Sequence, residues 1–196
     1  MTWTAAVLCG GASRRMGTDK ALVEVDGVPM LRRVAVALRR AGVAQVVCVG
    51  SGHQPQDDAR RRGALAGLGV AAYPDDHPGE GPLGGIITAL RTAPEDVDVV
   101  LVVACDLLAP SPAAFEATVA ALADGARDVA VPAGEPPAWL HAAWHKRAET
   151  SLRQGFEDGE RAVHRAVAGA GLAVTWVEVD ATACADADAP GDLPSA

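Results

Sequence analysis

Glycines and cations stand side by side near the start of the chain. Residues 9–20 read Cys-Gly-Gly-Ala-Ser-Arg-Arg-Met-Gly-Thr-Asp-Lys, directly after an apolar run at 4–8. Glycine lets backbone N–H groups approach phosphate oxygens with no Cβ in the way, while arginine and lysine supply the positive charge that a polyphosphate requires. A glycine-rich turn after a first strand is also where α/β folds bind phosphates. The spacing fits neither GxxxxGK[ST] nor GxGxxG, so the two most familiar phosphate-loop signatures do not apply.

Carboxylates recur farther along. Asp75 and Asp76 open a Pro- and Gly-rich stretch, 74–86, that ends in Gly-Pro-Leu-Gly-Gly-Ile. Gly81 to Gly85 would bring helix N–H groups and the positive end of a helix dipole to the same place. His77 reads as a solvated loop side chain. Asp106 closes the most apolar run of the sequence, 97–104. An aspartate at the carboxyl end of a buried strand faces the crevice where ligands bind and is placed to hold Mg²⁺ on substrate phosphates. Asp186 and Asp188 form a DxD pair near the end. In extended backbone their carboxylates share a side, which suits a hard cation.

Short apolar runs separated by amphipathic stretches must position these groups. Strands are expected at 4–8, 45–49, 70–73, 97–104, 128–131, 138–144 and 173–179. The first, second and fourth are almost continuously apolar, as for parallel strands covered on both faces. Helices are expected at 29–41, 57–68, 84–93, 112–123 and 146–156, with Ser111 capping the fourth and Gly42 ending the first. Alternation along 138–144 would put Trp139 and His141 on one face and Trp144 on the other. The expected fold is α/β: a Rossmann-like three-layer sandwich around a mostly parallel sheet, with residues 1–196 as one domain.

Composition narrows the partners. The 196 residues are 49% hydrophobic and 21% charged, with a formal net charge of −8. An acidic chain with no Lys/Arg run repels nucleic acid, although a few cations in one cleft can still receive a small anion. The four cysteines form no CxxC pair, so neither a zinc site nor a disulfide framework is expected, and free thiols fit a reducing compartment. No run approaches a membrane span. A cytoplasmic location with no membrane partner is expected.

The segment LCGGASRRMGTDK resembles the LAGGxSxRMGxDK signature of the molybdenum cofactor guanylyltransferases, a MobA-like branch of the nucleotidyltransferases. Three further segments resemble the same family. GPLGGI is similar to its GPLAGI, Cys105-Asp106 to its Cys-Asp-x-Pro step with Leu108 for the proline, and DADAPGDL to its D/N-x-D/N-T-P-E-D-L element. The resemblance implies the nucleotide-diphospho-sugar transferase type of fold and a nucleotide site formed by Leu8, Cys9, Gly10, Gly11, Lys20, Asp75 and Asp106. It also implies that Arg15 and Lys20 offset phosphate charge, with Ser13 and Arg14 nearby, and that Asp106 and Asp188 hold Mg²⁺, with Asp186 a further candidate. Residues 139–145 and 155–161 resemble the family's acceptor region.

The reaction implied by the resemblance is transfer of GMP from GTP to molybdopterin, the molybdenum cofactor, with contacts to other cofactor-biosynthesis proteins or molybdoenzymes. Two kinds of rival stay open. Aspartates in the C-terminal element are more usual in the family's cytidylyltransferase relatives, which leaves CTP, or another phosphorylated acceptor, as the alternative. A non-catalytic nucleotide-binding partner of molybdoenzymes would keep the glycine loop but would not need the metal aspartates.

Overall fold

The computed structural model describes residues 1–10, 19–50, 55–187 and 190–192. Four of the expected runs form parallel neighbours: β1 (Trp3–Leu8), β4 (Val46–Val49), β5 (Ala71–Tyr73) and β6 (Val99–Ala104). Two short strands, β2 (Glu24–Val25) and β3 (Val28–Pro29), make a separate hairpin that sequence periodicity does not show. Its turn needs Asp26 and Gly27 at φ 53° and 71°. Gly tolerates that region freely, and Asp does so better than most residues.

The main sheet has the order β5-β4-β1-β6-β8-β7-β9, completed by β7 (Val129–Pro132), β8 (Ala143–His145) and β9 (Val174–Val177). β8 runs antiparallel to both neighbours and β9 runs parallel to β7, so β8 is the single reversal in a mostly parallel sheet. The strand expected at 138–144 is corrected here. Trp139–His141 is a 3-10 turn, and only Ala143–His145 pairs as strand. Periodicity cannot separate the two, because Trp, Leu and Ala suit either and the turn follows two prolines.

Helices cover both faces. On one side α1 (Met30–Arg40) and α4 (Pro112–Ala120) pack Leu31, Leu38 and Phe115 against Val7 and Leu101. On the other, α3 (Pro82–Thr92), α5 (Glu149–Glu157) and α6 (Val163–Gly169) pack Ile86, Leu90, Leu152 and Val167 against Ala6, Val102 and Trp144. β1 therefore buries both of its faces, as its unbroken apolar run implies. Each large aliphatic side chain buried this way contributes about 1.5–3 kcal/mol. Ser111 caps α4 by accepting from Ala114 N–H at 3.3 Å, and Gly42 follows α1 at φ 75°, both as expected. The expected helix at 57–68 is α2 (Pro55–Ala64), and α6 has no counterpart among the expected helices because its seven residues are too short for a clear period.

Candidate active site

Three strand exits meet at the carboxyl edge. Cys9 N–H donates to Val49 O at 2.8 Å and Cys105 N–H to Leu8 O at 3.2 Å, which ties the ends of β4, β1 and β6 together. Gly50 makes this possible. It sits at φ +109°, and a Cβ there would lie 2.6 Å from Gly10 N, so any other residue would push the first loop away. A glycine directly after a strand was the available signal for it. Leu8, Cys9, Gly10, Lys20, Asp75, Gly85, Asp106, Leu140 and Asp186 line one cleft at this edge. Gly11, Arg15, Ser13, Arg14 and Asp188 lie outside the described residues.

Lys20 and Asp106 converge, with Nζ 3.0 Å from Oδ2 across 86 residues of sequence. Lys20 starts a 3-10 turn, Lys20–Leu22, whose N-cap is Asp19. Asp19 is itself held by Arg61 of α2, which sequence reasoning misses. Arg61 Nε and Nη2 donate to Asp19 Oδ2 and Oδ1 at 2.7 and 2.8 Å, and Nη2 also donates to Cys9 O at 2.8 Å. One buried guanidinium therefore clamps both ends of the glycine-rich segment. Burial works against its charge, but the Asp19 bonds outweigh it and Arg61 holds its proton more firmly than usual.

Asp75 is anchored through one oxygen. Oδ1 accepts from His77 N–H at 3.0 Å and stands 3.1 Å from the fully buried Thr88 hydroxyl of α3. Oδ2 faces Gly10 and Gly85, 3.7 and 3.9 Å from where their Cβ atoms would be. His77 corrects an expectation. Its ring packs against Phe156 with centroids 4.4 Å apart, and a Cβ on Gly84 would come within 2.7 Å of His77 Cβ. The glycine of GPLGGI makes room for that histidine.

The C-terminal segment closes the cleft. Ala187 N–H donates to Asp106 O and Leu108 N–H to Ala185 O, at 3.0 and 2.9 Å, so 185–187 lie antiparallel to 106–108. This brings Asp186 beside Asp106. Burial first, and the Asp186 charge second, raise the Asp106 pKa above its ordinary value, against the pull of Lys20. Asp186 Oδ1 is 3.0 Å from His141 Nε2, whose ring is buried. Among the described residues, no group of three His, Cys, Asp or Glu side chains is arranged to hold a metal. All four cysteines are free, and Cys9, where the family signature carries alanine, is buried with Sγ 3.6 Å from Val7 O.

A second cleft adjoins the first through Pro82, Leu140 and Asp186, and is lined by Trp139, Arg161 and His164. Trp139 meets Trp176 edge to face at 5.7 Å, whereas Trp144 is core. In the 155–161 turn, Arg161 donates to Glu80 at 2.7 Å and covers the Phe156 ring at 3.8 Å. Glu160 accepts from the Arg161 and Ala162 N–H groups, fastening the start of α6.

A family model described as a MobA-like NTP transferase domain matches residues 5–179, from β1 through β9. The chain belongs to the MobA-like NTP transferase family. A Chloroflexus aggregans relative named "probable molybdenum cofactor guanylyltransferase" is 32% identical over 91% of this chain and 80% of its own length. A Xanthomonas euvesicatoria relative named "molybdenum cofactor guanylyltransferase" is 38% identical over 51% of this chain. The chain spans only 45% of that relative. Among solved structures, molybdopterin-guanine dinucleotide biosynthesis protein A from Archaeoglobus fulgidus superposes with a TM-score of 0.76 at 22% identity, covering 96% of this chain and 94% of that one. A Thermus thermophilus 2-C-methyl-D-erythritol 4-phosphate cytidylyltransferase superposes at 0.70 and 19%, covering 95% and 93%. These likenesses make the sheet of this MobA-like chain that of the nucleotide-diphospho-sugar transferases. Within it, Leu8, Cys9, Gly10, Lys20, Asp75 and Asp106, all named from sequence, line one cleft.

Proposed function

We propose that this MobA-like chain is a nucleotidyltransferase that moves GMP from GTP to molybdopterin. The observation that carries the reading is the meeting of Lys20 and Asp106 at 3.0 Å in a cleft that also holds Gly10, Asp75 and Asp186. A cation, three carboxylates and a glycine around one space suit an Mg²⁺-bound triphosphate. The names of the relatives supply the substrates.

In the proposed reaction a terminal phosphate oxygen of molybdopterin bonds to the α-phosphorus of GTP, the bond from that phosphorus to the bridging oxygen breaks, and pyrophosphate leaves. No protein nucleophile takes part. In this reading the glycine-rich sequence that includes Gly10 and Gly11 holds the triphosphate in line, and Lys20 with Arg15 offsets charge that builds on the departing phosphates. Asp75 meets the nucleotide through its outward oxygen. Trp139 and its cleft receive the pterin.

The residues fit Mg²⁺. Asp106 and Asp186 offer oxygen ligands whose mutual repulsion a divalent cation would relieve, and Mg²⁺ is commonly held by one or two carboxylates plus substrate phosphates and water. Asp188 remains the proposed further contact. The ion would supply charge neutralisation on the phosphate oxygens. A cytoplasmic location goes with this reading, and among the described residues no helix is long and apolar enough to cross a membrane.

One observation favours a second reading. Asp186 borders the cleft at a position where the guanylyl signature often carries asparagine and the cytidylyl one aspartate. Pyrophosphate release from GTP and from CTP, each with molybdopterin and Mg²⁺, decides between them. Faster turnover of GTP is expected. Preference for CTP would move the assignment, and nucleotide binding without turnover of either would remove it.

A further inference from the structure

His141 is out of place for an acceptor-binding side chain. The residue is 3% exposed, it belongs to the turn Trp139–His141, and among the described residues its ring has one hydrogen-bond partner, Asp186 Oδ1 at 3.0 Å. An ionised carboxylate only accepts, so Nε2 carries the proton. Nδ1 is buried and has no hydrogen-bond partner among the described residues. A ring with one nitrogen bonded and the other orphaned is a costly way to fill apolar space, and a leucine would fill it more cheaply. What the histidine adds is the bond to Asp186.

That bond occupies Oδ1 and leaves Oδ2 without a hydrogen bond from any described residue, in the cleft that Asp106 also borders. The carboxylate is thus fixed from two sides: its backbone by the bridge to Leu107 and its side chain by the imidazole. We propose that His141 is a positioning residue that holds Asp186 Oδ2 toward the divalent cation shared with Asp106. This role rests on the proposal that Asp106 and Asp186 hold Mg²⁺. Groups that orient a metal ligand in this way typically change metal affinity by about 10–100-fold when removed.

Mn²⁺ binding to the full chain, read by the loss of the free-ion electron paramagnetic resonance signal, tests this without turnover. His141→Gln carries an amide N–H to the level of Nε2 and should bind Mn²⁺ within a few-fold of wild type. His141→Leu should bind about 10–100-fold more weakly, with the Mg²⁺ concentration for half-maximal rate rising by a similar factor and kcat restored at saturating Mg²⁺. His141→Asn, small and polar, stops short of Asp186 and should behave like the leucine variant, which keeps the test valid if the leucine chain does not fold. Wild-type Mn²⁺ affinity in a folded leucine or asparagine variant would overturn the proposal, as would a glutamine variant as weak as leucine. Asp106→Ala separates the two levels. If it binds Mn²⁺ as tightly as wild type, the metal site itself is wrong and the role of His141 falls with it; if it loses binding while His141→Leu keeps it, only the role of His141 is overturned.

Discussion

The two ends of the sheet hold their charged side chains differently. Beside the cleft proposed for the nucleotide, the Arg61–Asp19 pair has side-chain exposures of only 8% and 2%, and Thr88, which supports Asp75, is fully buried. Toward the cleft proposed for the acceptor, Arg161–Glu80 is 41% and 45% exposed, and Arg165–Glu160 is 63% and 26% exposed. In the proposed function, the first arrangement would hold the segment that meets the triphosphate. The second leaves solvated side chains around the cleft proposed for the acceptor. Removing one partner of a buried pair strands a charge, while exposed pairs contribute little, so the contrast has a measurable size.

The largest effect comes from that contrast. Arg61→Met should destabilise the chain by about 3–5 kcal/mol, because Asp19 is left buried and unpaired. Arg161→Met should cost under about 1 kcal/mol. Urea unfolding of both variants measures the difference, and equal losses would break the comparison. Next, Lys20→Ala and Asp106→Ala should each lower GMP transfer by about 10²–10³-fold with little change in unfolding midpoint, as expected for groups that meet developing phosphate charge. Pyrophosphate release checks this, and a wild-type rate in either variant would remove that residue from the proposed mechanism. Thr88→Val is milder. It leaves Asp75 Oδ1 and the Asp76 N–H short of a partner, at about 1–3 kcal/mol, and should raise KM for GTP more than it lowers kcat.

The same divide governs what could be read from sequence. Leu8, Cys9, Gly10 and Asp106 stand at or just after the ends of β1 and β6, long apolar strands that periodicity marks, Asp75 follows the short β5, and Lys20 is reached through the family signature; all six line one cleft. Their supports were not legible. In sequence Arg61 is the middle of three consecutive arginines within the expected helix 57–68, with nothing local to single it out, and only folding shows that it reaches Cys9 O, 52 residues away. Thr88 lies within the expected helix 84–93 with no local pattern that ties it to Asp75. In the second half β8 is three residues long and α6 seven, too short for a period, and the turn at Trp139–His141 passed for strand. His141 was therefore assigned to a face of a strand that does not exist. The link between 106–108 and 185–187 spans nearly half the chain and leaves no local pattern.

The smallest effect belongs to the exposed side and tests it by pH. The Arg165 guanidinium first, then the Ala162 and Arg161 N–H groups, hold the Glu160 carboxyl down at about 2 from its ordinary 4.5. A depressed carboxylate pKa stabilises the fold fully above the unfolded value and loses that contribution as pH falls through the folded value. The fastening of α6 should therefore be intact at neutral pH and weaken only between about 4.5 and about 2. Carboxyl NMR titration gives the midpoint directly. Arg165→Ala should move it up toward 4.5 without reaching it, because both backbone donors remain. Added salt should move it the same way, since every partner but the backbone is solvated. A midpoint that ignores both would mean that Glu160 is held as rigidly as Asp19, and the two ends of the sheet would no longer differ in kind.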